Sequence, residues 1–281
     1  MAKRRKVKNT PPKTVRMSEE AWEEYIRRLR LLSDDTYNWV MKWLDGLDIA
    51  GLSDAEWNRF VNLLYINVVK NGEAAATLSA ELFEYMTQNS LENLAHVDMF
   101  VNDDIRELYR MVYGVKKYGN PKLIAEGASR YVKLSSVDTV LGNALEYGCE
   151  VAWIPHGDTC AFCIALASRG WQPASRKLVK NGHAEHVHAN CDCTFAVRYS
   201  PDVEVEGYED GKKYRKIYYD AEGSDSSERI KNLRRELDAE NKEEIKKQQH
   251  EAYEERKKRK EQTEADTRAS FKEAAERFFD I

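Results

Sequence analysis

Between positions 160 and 193 the chain gathers Cys160, Cys163, His183, His186, His188, Cys191 and Cys193, in the order C-x-x-C, a gap of nineteen residues, then "HAEHVHANCDC". Thiolates and imidazoles in two short clusters are the ligands that zinc takes in a tetrahedron of four. A C-x-x-C turn points both sulfurs to one side. His188 lies three residues ahead of Cys191, close enough for a second turn to present both. These spacings predict a structural zinc site on Cys160, Cys163, His188 and Cys191, with Cys193 competing for the last place. In a C-x-C strand Cys191 and Cys193 share a face, so either reaches inward. His183 and His186 read as solvated loop histidines, because the cysteine-rich set already closes the site. Cys149 stands outside the cluster and reads as a small core residue.

Other chemistries leave part of this pattern unused. A thioredoxin-like redox pair follows a strand and opens a helix, as "VAWIPHGDTCAFC" does, yet that reading gives "HVHANCDC" no task. Zinc deaminases place H-x-E before P-C-x-x-C, whereas here His183-Ala184-Glu185 comes afterwards, without the proline. An H-E-x-x-H protease helix is missing, since no Glu follows His183 directly. The rival from another class is a metal-dependent nuclease or other hydrolase, in which His183, His186, His188 and Asn190 help to activate water against a phosphodiester. Its mark is an open coordination position on the metal.

The elements that must hold these residues follow from composition. With 281 residues, 42% hydrophobic and 33% charged, not all of the chain can be core. The formal net charge of -4 conceals seven Lys or Arg and no acid in residues 1–16, which read as a basic disordered arm. No apolar run approaches the roughly 20 residues of a membrane span, and the basic start lacks the apolar core of a secretory signal. The expectation is a soluble protein made in a reducing cytosol, with no membrane partner, where five cysteines favour metal binding over disulfides.

Residues 17–148 read as a helical domain of about six helices. Trp22, Tyr25, Ile26 and Leu29 share one face, and Tyr37, Val40, Met41 and Leu44 continue the stripe until Gly46 permits a left-handed stop. Ser53 and Glu56 can form a capping box, with Leu52 stapled onto Trp57. A helix over 54–70 follows, its stripe Trp57, Val61, Leu64 and Val68, ended by Asn71-Gly72. Further helical runs cover 73–88, 103–118 and 135–147, the last closed by Gly148. Residues 149–205 then form a small α+β zinc-binding domain between two strands, "CEVAWIP" and "CTFAVRYS". Residues 206–281 form a long charged tail, helical or disordered, whose apolar seam fades after Ile245. The fold class is mainly α.

"VAWIPHGDTCAFCIALASRGW" followed by "HVHANCDCTFAVRY" resembles the Mu F-like head morphogenesis family, the minor capsid proteins of tailed bacteriophages. The match lies at Asp158, Cys160, Cys163, His188, Cys191 and Cys193 and along Leu166 to Trp171, and covers about residues 150–200. The histidine-rich "GHAEHVH" departs from the family pattern and leaves the identity of the His ligand open. The resemblance implies a structural component of the virion, inside the phage head, assembled in the host cytoplasm. It also implies the portal and other head proteins as partners, a role in DNA packaging or ejection, and no catalytic activity. A maturation protease would need a Ser, His and Asp arrangement, and none is evident. The basic arm could meet DNA, or the acidic inner face of a capsid, through counterion release.

Overall fold

The computed structural model describes residues 17–87, 97–156, 159–181, 193–205, 208, 211–240, 242 and 246–247. The chain divides into two compact units, one ending at Asp220 and the other starting at Ala221. In the first unit the order is α1 (Glu19–Trp43), α2 (Asp54–Thr87), α3 (Ile105–Lys116), α4 (Pro121–Tyr147), β1 (Glu150–Ile154), α5 (Ala161–Ala167), β2 (Gln172–Pro173), α6 (Arg176–Asn181), β3 (Thr194–Arg198) and α7 (Gly211–Asp220). In the second unit residues 226–240 are helical. The molecule is thus mainly helical with one small sheet. Among the described residues no helix is long and apolar enough to cross a membrane.

The helix starts follow local chemistry. Ser18 caps α1 by accepting from the Ala21 N–H at 3.2 Å, with Glu19 and Glu20 in the first turn, where the helix dipole favours negative charge. The helix stops at Leu44, and Gly46 takes φ of 70°. At α2 the expected capping box is present: the Ser53 N–H donates to Glu56 Oε2 at 2.9 Å and the Glu56 N–H to Ser53 Oγ at 3.4 Å. Pro121 sits in the first turn of α4, where its missing N–H costs nothing, and Gly148 closes that helix with φ of 66°.

Two expectations are corrected. The helix expected to end at Asn71-Gly72 runs straight through to Thr87. Asn71 is buried and its amide donates to Asp35 Oδ2 and Thr36 Oγ1, both at 2.9 Å, so it ties α2 to α1 instead of turning the chain. Gly72 makes room for α4: a Cβ there would stand 2.9 Å from Ser135 Oγ. The six helices expected before Gly148 are four among the described residues, because each of the first two pairs fuses and α4 begins at Pro121.

α4 also carries a polar stripe. Ser135, Thr139 and Asn143 recur every four residues and bind the backbone of residues 98–102, which runs antiparallel to the helix. Asp98 N–H donates to Asn143 Oδ1 at 2.9 Å, Phe100 N–H to Thr139 Oγ1 at 3.0 Å and Asn102 N–H to Ser135 Oγ at 3.0 Å. Four helical residues rise about 6.0 Å and two extended residues about 6.6 Å, so the two periods keep step over this length. Gly142 leaves space for the Phe100 ring, since a Cβ would meet its Cε2 at 2.6 Å.

The three strands form one antiparallel sheet in the order β2-β1-β3, with Glu150 opposite Arg198 and Ile154 opposite Thr194. Arg198 Nε donates to Glu150 Oε2 at 2.8 Å across that first pair, and its guanidinium lies 4.4 Å from the Trp171 ring centroid. One hydrophobic cluster joins Val40, Trp57, Phe60 and Leu64 to Leu108, Val112 and Ile124. A second joins Trp22, Tyr25, Phe83, Met86 and Leu141 to Val151, Trp153, Cys163 and Phe195. The boundary expected between residues 148 and 149 therefore falls inside this second cluster, where sheet and helices share a core.

Candidate metal centre

The C-x-x-C segment is built around the first turn of α5. Cys160 is its N-cap, with extended backbone at φ of -73° and ψ of 157°, and Cys163 is the third helical residue. That geometry folds the two side chains together: Cys160 Sγ lies 3.4 Å from Cys163 Sγ, and the Cys163 N–H donates to Cys160 Sγ at 3.4 Å. An N–H aimed at sulfur favours the thiolate, the form that a metal binds. Neither cysteine is in a disulfide; Cys163 is buried and Cys160 half-buried. Two sulfurs at about 2.3 Å from a tetrahedral zinc stand about 3.8 Å apart. The pair thus fits half of such a site with an adjustment of a few tenths of an ångström.

β1 and β3 bring the third thiol to the same end of the sheet. Cys193 is the residue before β3, whose Thr194 pairs with Ile154, the last residue of β1. From Ile154 the chain needs only six residues to reach Cys160. Cys160 and Cys193 are both half-buried against the second hydrophobic cluster, in which Cys163 is a core member. His188 and Cys191, and with them His183 and His186, lie outside the described residues. Among the described residues no three His, Cys, Asp or Glu side chains are gathered as a metal's ligands. Cys149 is buried, and burial pushes its thiol up to about 12, the behaviour expected of an inert core residue.

A buried hydroxyl node beside the start of β3 is not visible as a pattern in the sequence. Tyr25 Oη of α1 stands 2.9 Å from Ser79 Oγ of α2 and 3.3 Å from Ser136 Oγ of α4, and Ser79 donates to Ser136 at 2.7 Å. Thr194, the first residue of β3, is buried beside this node. Burial raises the phenol's pKa, so it stays neutral. Three helices thus meet in one hydroxyl node. The only sequence hint was hydroxyls at positions where the helical stripe calls for apolar side chains.

No curated protein and no solved structure matches the chain. Residues 16–221 match a family model, that of the VG15 protein, over a span that takes in the four long helices, the sheet and the thiol pair. The chain therefore belongs to the VG15 protein family and is a phage protein.

Proposed function

We propose that this phage protein is a minor capsid protein of the Mu F-like head morphogenesis type. In this reading it is a structural component of the head, next to the portal, with a structural zinc site and no catalytic activity. The observation that carries the reading is the thiol pair of Cys160 and Cys163 on one turn, 3.4 Å apart. It sits at the end of a two-strand pair whose other strand is entered through H-x-x-C-x-C. Zinc supplies no reaction here; when bound it cross-links the start of α5 to the segment entering β3. His188, Cys191 and Cys193 are the remaining donors, two of which complete four-coordination with Cys160 and Cys163.

The sheet already shares a core with α1, α2 and α4. The task of the metal is accordingly narrower than replacing a missing core: it joins two chain segments at one end of a sheet that burial holds together.

Native mass spectrometry of the full chain, before and after a chelator, tests the site. The expected result is one zinc per chain, with Cys160 and Cys193 protected from alkylation until the ion is removed. His183→Ala and His186→Ala keep the metal, and the zinc-loaded chain leaves DNA uncut. Quantitative mass spectrometry of purified virions tests the head role, with a few copies per particle expected. A metal-free native chain with fully reactive thiols defeats the zinc reading. Cleavage of DNA that depends on His183 or His186 moves the protein to the nuclease class.

A further inference from the structure

A second surface lies on α3 and the facing edge of α2, and neither the zinc site nor the basic arm accounts for it. Leu108 and Val112 turn α3 inward. On the outward side Arg106, Tyr109, Arg110, Tyr113 and Lys117 recur at i, i+3, i+4, i+7 and i+11, which places them within an arc of about 100°. No carboxylate shares that arc; Glu107 is about 100° round from Arg106. Arg59 lies next to Asn58 on the neighbouring edge of α2. Asp104 engages Arg106 at 3.2 Å, whereas Arg59, Arg110 and Lys117 are exposed and have no ion-pair partner among the described residues.

The two tyrosines are held in place. Tyr113 Oη donates to Asn58 Oδ1 at 2.9 Å and Tyr109 Oη to Asn62 Oδ1 at 3.4 Å. Their rings are nearly parallel, 17° apart with centroids 5.8 Å apart, and Tyr113 meets Trp57 edge-on at 6.0 Å. Tyr113 is 40% exposed, so part of its ring remains open to solvent. Asp54 of α2 also faces Tyr113 and pairs with Lys116 at 4.0 Å, leaving Arg59, Arg110 and Lys117 as the cations of this face that no carboxylate engages among the described residues. Such cations beside fixed aromatic rings are the two components of sequence-independent nucleic-acid grooves: phosphate neutralisation and base stacking.

We propose that this α2–α3 face binds a nucleic-acid strand, with Arg59, Arg110 and Lys117 on its phosphates and Tyr113 as the platform on which a base stacks. The face is independent of the zinc reading and separate from the basic arm.

Fluorescence anisotropy of the full chain with a labelled 20-nucleotide thymidine strand and a labelled 20-base-pair duplex, across a salt series, tests this. Three variants are compared with wild type: Arg110→Gln with Lys117→Gln, Tyr113→Leu, and Arg4→Gln with Arg5→Gln in the arm. Loss of two phosphate contacts on a single strand lowers the salt slope by about 1.4 and, at 0.15 M salt, weakens binding about tenfold. Tyr113→Leu weakens single-strand binding about fivefold or more and leaves the duplex unchanged. Arg110 and Lys117 are exposed, so circular dichroism of that variant stays that of wild type. Failure of the wild type to bind either probe overturns the proposal. So does unchanged affinity and slope in the Arg110/Lys117 variant while the arm variant loses binding. Equal loss on strand and duplex in Tyr113→Leu overturns the stacking role.

Discussion

Tyr25→Phe isolates the node that ties α1, α2 and α4 together beside the start of β3. The phenol oxygen is removed, while Ser79 and Ser136 remain bonded to each other at 2.7 Å and are not orphaned. What is lost is the phenol's bonding to the serine pair, at 2.9 Å from Ser79 and 3.3 Å from Ser136. Each buried neutral hydrogen bond is worth about 1 kcal/mol net, so the variant is less stable by about 2 kcal/mol at pH 7. For a unit of roughly this size each kcal/mol moves Tm by about 2–4 °C, giving a fall of about 4–8 °C by circular dichroism at 222 nm. Alkaline pH supplies a second readout. Burial raises the folded-state pKa of Tyr25 above its unfolded value. Below the unfolded pKa both states hold the proton; above it the unfolded chain releases a proton that the folded chain keeps, and stability falls as pH rises. Phenylalanine has no such proton, so the gap between wild type and variant narrows above about pH 10. A Tm at pH 7 indistinguishable from wild type, or a gap that widens at alkaline pH, refutes the reasoning.

Two glycines give opposite outcomes. Gly72→Ala forces a Cβ within 2.9 Å of Ser135 Oγ, which accepts from the Asn102 N–H, and lowers stability by about 1–2 kcal/mol in a urea melt. Gly114→Ala, in α3 with nothing within 4 Å of its Cβ, raises stability by about 0.5–1 kcal/mol through helix propensity alone. Asp138 has its carboxyl pushed up to about 6 by burial, so between about pH 4 and that value stability falls as pH rises. Asp138→Asn flattens that decline and raises Tm at pH 7, as pH-resolved thermal melts measure. After chelation, iodoacetamide at pH 8 labels Cys160 and Cys193 while the native chain keeps Cys149 unlabelled, by peptide mass mapping.

What the sequence made legible was local. The capping box at Ser53 and Glu56, the left-handed stops at Gly46 and Gly148, the stripe of Trp57, Val61, Leu64 and Val68 and both longer strands rest on side chains within one turn or one pleat of each other. The failures were tertiary. Asn71-Gly72 carries a strong turn signal, but an amide bonded to Asp35 and Thr36 and a helix packed against a bare Cα outweigh it. Residues 149–205 read as a domain of their own, while the side chains they share a core with, Trp22, Phe83 and Met86, are distant in sequence. The pairing of Cys160 with Cys163 was readable from spacing alone, whereas the hydroxyl node of Tyr25, Ser79 and Ser136 needed three helices to meet before it had any pattern.

Because α4 grips residues 98, 100 and 102 by their amide hydrogens, the information that places this strap is written in Ser135, Thr139 and Asn143 and not in the strap itself. Mutational drift at Met99, which is 58% exposed, therefore costs no more than its sulfur's contact with the Thr77 hydroxyl at 3.3 Å. Proline at 98, 100 or 102 deletes a rung and frees the segment, so tolerance along these five positions alternates with a period of two even though no β-ladder is present.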